Sequence, residues 1–482
     1  MRSALVTPEN RKWWTLVTVA IGLFMLMLDN TVVNVALPAI QEDLGADLSE
    51  LEWIVTGYAL TFAALLLTGG KLADMLGRRR IFIVGLTIFT ASSLACGLAT
   101  SAGFLIGARV VQGVGAALMN PATLSIIVAT FPPRQRGTAI GIWVGISAMA
   151  LAIGPLIGGI LTEQINWSWI FFINVPVGIA GILVARFAIT ESRDESEVQR
   201  LDLPGLISSA VGLFALVYGL IEANNYGWTS GRILASFAVA IVALVVFVLL
   251  ELHQRAPMLD LSFFKNATFA GANTTMLLVA LAMFGVFFYN SLFLGIVLGY
   301  SPIQTGATFL PMTILIVFVA PLAGRFADKI GSRWLMGAGL VLLSGSLISF
   351  SRLGLDATFW DILPGLLLGG VGMSLAMTPT TAAAMGSVPV DKAGVGSAVL
   401  NSMRQVGGAL GIALMGAIVA GSVTVPKGQP IPPDQFVDGY QNALHVAAGI
   451  ALLGAVVAVT TVRKYRHPEA ARDETAPALE GA

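Results

Sequence analysis

Residues 69–80 read GGKLADMLGRRR and residues 323–334 read AGRFADKIGSRW. Gly70, Ala73, Asp74, Gly77 and Arg79 of the first stretch return in order as Gly324, Ala327, Asp328, Gly331 and Arg333 of the second, with basic Lys71 answered by Arg325. A second echo follows each copy: Gly113, Val114, Gly115 and Leu118 return as Gly370, Val371, Gly372 and Leu375. Two ordered echoes mark an internal duplication. In an apolar chain, duplicated halves point to a carrier whose substrate site lies between two helix bundles near the bilayer midplane.

The chain around these stretches is apolar. Of 482 residues, 56% are hydrophobic and only 11% are charged, with a mean hydropathy of +0.83; a soluble domain carries roughly 25% charge. A water-soluble globule is excluded. With about 20 residues needed per membrane-spanning helix, the apolar runs predict spans at 14–38, 51–69, 80–98, 103–128, 137–161 and 168–188, then 268–298, 305–323, 334–351, 359–381, 394–421 and 440–462. A further pair at 204–222 and 232–251 is inserted between the two sets of six, which makes fourteen. The expected architecture is an all-α polytopic membrane protein with an N-terminal bundle (1–188), a charged connector plus the inserted pair (189–267), a C-terminal bundle (268–463) and a polar tail (464–482) expected to be disordered.

Basic residues in short loops stay cytoplasmic, and Arg11, Lys12, Lys71, Arg78, Arg79, Arg80, Arg186, Arg325 and Arg333 all fall on one set of ends, against Arg232, Arg352 and Lys427 on the other. Both termini are therefore expected in the cytoplasm. The first span is too long, and too polar at Asp29, Asn30 and Asn34, for a cleaved signal peptide. Lys plus Arg equals Asp plus Glu at 27 each, so no excess charge suggests a nucleic acid, and the lone Cys96 permits no internal disulfide and no cysteine metal cluster.

Charges inside spans are costly, roughly 2.5–3.5 kcal/mol each at a helix centre, and usually mark a transport pathway. Asp29 lies deep in the first span, Arg109 in the fourth and Arg404 in the thirteenth, closer to a membrane surface. Asp29 and Arg109 read as a proton-coupling pair. Low dielectric penalises the aspartate's charge while a nearby guanidinium restores it, so movement of Arg109 would switch the carboxyl between holding and releasing a proton, and a cationic drug would compete with the proton at the same place. Asn30, Asn34, Glu222, Phe284, Phe288 and Arg404 are candidates for lining the substrate pocket. In the fifth span, Gly141 and Gly145 share one helix face, as do Gly154 and Gly158, which allows another helix to come close; Pro155 removes a backbone donor and kinks the helix. The external segment 422–439, with four prolines, reads either as a turn-rich flap or as a passive linker.

LDNTVVNVALP (28–38), GKLADMLGRRR (70–80), RVVQGVGAA (109–117) and GPLIGG (154–159) together resemble the major facilitator superfamily, and within it the fourteen-span drug:proton antiporter branch of the EmrB/QacA type. One departure is Ala150, where the branch's small-residue ladder carries glycine. The resemblance implies a proton-coupled efflux antiporter for lipophilic, cationic compounds that works by alternating access in a bacterial cytoplasmic membrane, is driven by the proton gradient, uses no cofactor or metal, and acts as a monomer. It also implies that Gly70, Lys71, Asp74, Gly77, Arg78, Arg79 and Asp328 gate the inner ends of the halves, and that Gly141, Gly145, Gly154, Pro155, Gly158 and Gly159 form the antiporter motif. A symporting or facilitative metabolite carrier of the same fold is the alternative. No phosphate-loop motif is present to support ATP-driven pumping, and His253, His445 and His467 are too scattered to suggest an enzyme site.

Overall fold

A computed structural model of the chain describes residue 7 and residues 10–193, 201–254, 257–388, 393–423 and 432–463. The tail 464–482, residues 194–200 of the connector and residues 424–431 of the external segment lie outside these, as do the surroundings of Gly137 and the side chain of Asp328. Fourteen helices among the described residues are long and apolar enough to cross a membrane. They are α1 (Arg11–Leu44), α2 (Leu48–Leu76), α3 (Arg78–Gly97), α4 (Ala102–Thr130), α5 (Thr138–Gln164), α6 (Trp169–Ala188) and α7 (Leu203–Tyr226). The rest are α8 (Gly231–His253), α9 (Ala267–Val297), α10 (Pro302–Ala327), α11 (Ser332–Phe350), α12 (Phe359–Gly386), α13 (Val395–Ser422) and α14 (Pro433–Thr461). No strand occurs among the described residues, as expected where every lipid-facing backbone group must be bonded within its own segment.

The duplication is visible in the packing. α2 and α3 are joined through Gly77 alone, at φ 112°, and the corresponding helix ends Ile330 and Ser332 are joined through Gly331, at φ 97°. A side chain at either joint would strain a backbone conformation that only glycine adopts freely. Further in, a Cβ on Gly115 would lie 2.8 Å from the Gly85 carbonyl, and one on Gly372 would lie 2.8 Å from the Gly339 carbonyl. α4 therefore meets α3 as α12 meets α11, backbone against backbone. Gly113 and Gly370 make the matching approaches to α2 and α10.

Proline sets the local breaks. α6 is interrupted at Ile173; the ring of Pro176 removes a donor and crowds the carbonyl four residues back, which frees Asn174 to turn inward. Pro311 does the same to α10 at Phe309. The external segment differs from its expected form, because α14 begins at Pro433, seven residues before the predicted start at 440. Pro433 takes the first helical turn, where its missing N–H is unused, and Asp434 follows where negative charge meets the positive helix end. Pro433, read as a breaker, is here a helix start.

The inserted α7 and α8 pack on each other, and α7 leans on α2 and α13 through Ala59, Leu60, Val217, Ile221, Ala409 and Ala413. α8 turns Ile241 and Val242 outward, both more than 60% exposed. The two sets of six touch at the end opposite the Asp74 loop. There a Cβ on Gly159 would collide with Pro302 and Ile303, and one on Gly306 would collide with Pro155 and Leu156. A Cβ on Gly141 or Gly145, in the other half of α5, would meet nothing within 4 Å. The expected small-residue face thus packs only over its second half, and the molecule is closed at one end and parted at the other.

If backbone contact holds α3 to α4, Gly115→Val forces overpacking worth about 1–3 kcal/mol and lowers the thermal transition of the purified protein. Gly107→Val, at a position with open space around it, leaves that transition unchanged; equal effects of the two would contradict the packing.

Candidate functional site

Asp29 projects from the middle of α1 and Arg109 from α4, and their side chains are 0% and 1% exposed. Arg109 Nη1 donates to Asp29 Oδ2 at 2.5 Å and to Gln112 Oε1 at 2.7 Å, while Nε donates to the Ile54 carbonyl at 3.1 Å. Asp29 Oδ1 accepts from Gln112 Nε2 at 3.0 Å and from Asn174 Nδ2 at 3.5 Å. Ser93 Oγ of α3 accepts from both amides, at 2.8 and 3.1 Å. The guanidinium lies 4.2 Å from the Tyr58 ring centre and 5.7 Å from that of Phe171. Five helices, with Ile54 of α2 included, converge on one ion pair, and both carboxylate oxygens have donors. Such saturation is the condition for holding a charge in a low dielectric.

Sequence reading identified the pair but not its surroundings. Gln112 was legible, because it stands three residues from Arg109 on the same helix face. Asn174 was not, since its inward turn depends on the Pro176 break. Arg109 anchors α4 to α1 and α2, and Thr31 and Val32, within one turn of Asp29, are the residues that a Cβ on Gly154 or Gly158 of α5 would strike. The ion pair and the glycine-proline motif therefore grip successive residues of one turn of α1.

Between the halves, at the parted end, a cavity of about 390 Å³ is lined by Gly70, Lys71 and Asp74 of α2, Asn120 of α4, Trp143 of α5, Met258 after α8 and Asn401 of α13. Trp143 is oriented by a hydrogen bond from its Nε1 to Thr123 Oγ1, 3.2 Å. Among the described residues expected to gate or to line a pocket, Gly70, Lys71 and Asp74 alone border this cavity. Asp29 is closed off from it, so direct competition between drug and proton at Asp29, expected from sequence, has no route in this conformation. Phe288 is fully buried against Tyr289, and Phe284 packs over Gly408. Asn30 and Asn34 bond to carbonyls of their own helix. Glu222 lies at the opposite end, accepting from Asn225 at 2.9 Å. Arg404 is in α13, and its Nε has no hydrogen-bond partner.

Asp74 lies in the last turn of α2 and pairs across the Gly77 joint with Arg78 of α3 at 2.9 Å. The carboxylate at the N-terminus of α3 is Glu191 from the connector, which accepts from the Arg79 backbone N–H at 3.0 Å and faces Arg79 and Arg80. Negative charge there is favoured by the helix dipole. No group of three or more His, Cys, Asp or Glu among the described residues could hold a metal ion.

The family model described as Major Facilitator Superfamily matches residues 19–412. A tetracenomycin C resistance and export protein of Streptomyces glaucescens is 34% identical over 97% of this chain and 94% of its own length. A puromycin resistance protein of Streptomyces alboniger is 36% identical, covering 94% and 91%. A multidrug resistance protein, Stp, of Mycobacterium tuberculosis is 37% identical, covering 84% and 75%. Among solved structures, a bacterial homolog of the human lysosomal transporter Spinster, inward-facing and unoccupied, superposes with a TM-score of 0.69 at 18% identity, covering 96% of this chain and 100% of that one.

Removing one member of the buried pair leaves the other uncompensated. Arg109→Ala is expected to cost about 3–5 kcal/mol, and Asp29→Asn combined with Arg109→Gln distinctly less. Thermal unfolding of the purified variants checks the order; a double variant less stable than Arg109→Ala would contradict it.

Proposed function

The chain belongs to the Major Facilitator Superfamily, and on that premise we propose that it exports lipophilic, drug-like compounds in exchange for protons, by alternating access in a bacterial cytoplasmic membrane. The observation that carries this reading is the buried Asp29–Arg109 ion pair, set within one turn of the α1 residues, Thr31 and Val32, that meet Gly154 and Gly158 of α5. Relatives named for resistance to tetracenomycin C, puromycin and multiple drugs point to the same cargo class. We take the motif end as cytoplasmic, from its basic residues. The cavity then loads from the cytoplasm while Asp29 is paired to Arg109.

Exchange follows from helix position. When the halves rock and Asp29 takes a proton from the outside, its attraction for Arg109 falls, and the guanidinium keeps the Ile54 carbonyl and Gln112 Oε1 as partners. α1 is then free to shift against α5 through Thr31 and Val32. Proton and drug exclude each other by favouring opposite conformations, a reciprocal coupling. Cargo of either charge fits this scheme, cations among them, since the drug need not touch Asp29. No cofactor is required, the proton gradient being the driving force, and one chain suffices.

In proteoliposomes carrying an imposed pH gradient, Asp29→Asn is expected to abolish gradient-driven efflux of a fluorescent cationic dye while leaving the protein inserted. Full activity of that variant would remove Asp29 from the coupling. In cells, collapse of the proton gradient should raise dye accumulation; reduced substrate entry instead would identify an uptake carrier.

Asp74→Asn is expected to lower the transport rate several-fold with folding intact, because the amide loses its charge-assisted contact with Arg78. An unimpaired rate, read in the same proteoliposomes, would leave the loop as a membrane anchor only.

A further inference from the structure

The closed end of the molecule contains an acid that sequence reading passed over. Glu52 was taken as the second residue of a span starting at 51, but α2 begins at Leu48 under a capping box of Asp47 and Glu50, which sets Glu52 more than a turn inside. It is 2% exposed. Oε1 accepts from the Tyr289 hydroxyl of α9 at 2.7 Å, and Oε2 has no partner. A Cβ on Gly416 of α13 would collide with this carboxyl and would lie 2.6 Å from the tyrosine oxygen. Glu52 thus crosses from the first half into a seat made by two helices of the second, which exists because position 416 carries no side chain.

Its electrical surroundings are the reverse of those at Asp29. No Lys or Arg among the described residues forms an ion pair with it. Acids flank it: Asp47 caps its own helix, and Glu222 of α7 is tied through Asn225 to Ser49 one turn below. α9 offers Tyr289, α13 offers Gly416, and the basic residue of α8, Arg232, stacks on the rings of Tyr218 and Tyr226. A buried carboxylate with one neutral donor and two like charges nearby is untenable, and such a group neutralises by taking a proton.

We propose that Glu52 is a second proton-binding site, distinct from Asp29, whose protonation from the solution at the far end is required for the two halves to close there. Opening that end withdraws α2 from α9 and α13 and wets the carboxyl, which then ionises at neutral pH. Closing requires the proton back. The proton is taken and returned on the same side, so it is not cargo; it makes the return to the cytoplasm-facing state sensitive to outside pH. This rests on the alternating-access reading above, with one proton per closure, so above the titration midpoint the open-to-closed ratio should rise about tenfold per pH unit.

The test uses the purified full chain in nanodiscs without drug, spin-labelled at Ile165→Cys and Leu355→Cys. These positions belong to opposite halves and are 53% and 49% exposed, whereas Cys96 is fully buried and stays unlabelled. Distance distributions across pH, in an Asp29→Asn background, are expected to show the far end opening as pH rises with the slope of one proton. Adding Glu52→Gln, which keeps an acceptor for Tyr289 but cannot ionise, should hold that end closed at every pH. Tyr289→Phe should displace the midpoint and keep the slope. A flat curve in Asp29→Asn alone, or an unchanged curve with Glu52→Gln, overturns the proposal. Because no drug is present, failure of the exporter reading would leave these curves standing, and failure here would leave efflux through Asp29 untouched.

Discussion

Two backbones in contact, α5 at Gly159 against α10 at Pro302 and Ile303, set the geometry on which the rest of the molecule depends. Gly306 returns the contact onto Pro155. With no side chains between them, the helices have nothing to compress there and act as a fulcrum. The 27 residues of α5 make a lever of roughly 40 Å at 1.5 Å per residue. A rotation of a few degrees at one end therefore opens several ångströms at the other, which is where Gly141 and Gly145 stand free and where the cavity lies. Closure at one end and access at the other are one constraint seen twice.

The two buried acids are placed on that lever in different ways. Asp29 lies within one half, saturated by Arg109, Gln112 and Asn174, and touches the fulcrum only through its neighbours on α1. Glu52 lies across the seam, with a single neutral donor from the opposite half. The first can carry its charge while the far end is shut, and the second cannot. A buried charge with all its donors is tolerated wherever the donors go with it, so Asp29 can ride with its bundle. A buried acid whose donor belongs to the other bundle reports whether the bundles are together.

What was legible in the sequence was what local chemistry fixes. The repeat showed because glycine at positive φ is needed at both one-residue joints, Gly77 and Gly331, whatever surrounds them. Asp29 and Arg109 showed because a charge deep in an apolar run is conspicuous anywhere. Glu52 did not show, since its depth depended on a capping box whose Asp47 lies four residues upstream of the apparent span. The early start of α14 was hidden because proline serves equally as a breaker and as a first helical residue. The cavity was missed for another reason: Asn120, Trp143 and Met258 come from segments far apart in the chain, and their facing a common space is a matter of how the helices pack. Glycine spacing on α5 forecast close packing along the whole helix, but spacing cannot say which half has a partner in a given conformation.

The inserted pair follows from the same mechanics. α2 and α13 come from opposite halves and lie side by side, so their seam must slide whenever the lever moves. α7 rests on both, its Val217 and Ile221 packing with Ala59 and Leu60 of α2 and with Ala409 and Ala413 of α13, while α8 takes the outward apolar face. At its end α7 holds Asn224 against the Ala417 carbonyl and Asn225 against Ser49, one contact to each half, on either side of the Glu52 seat. A helix pair so placed keeps lipid out of a seam that contains an acid, while bonding to both of its margins. The insertion then bears on the proton chemistry, because a carboxyl that must be wetted from one end can respond to that end only if its flank is sealed.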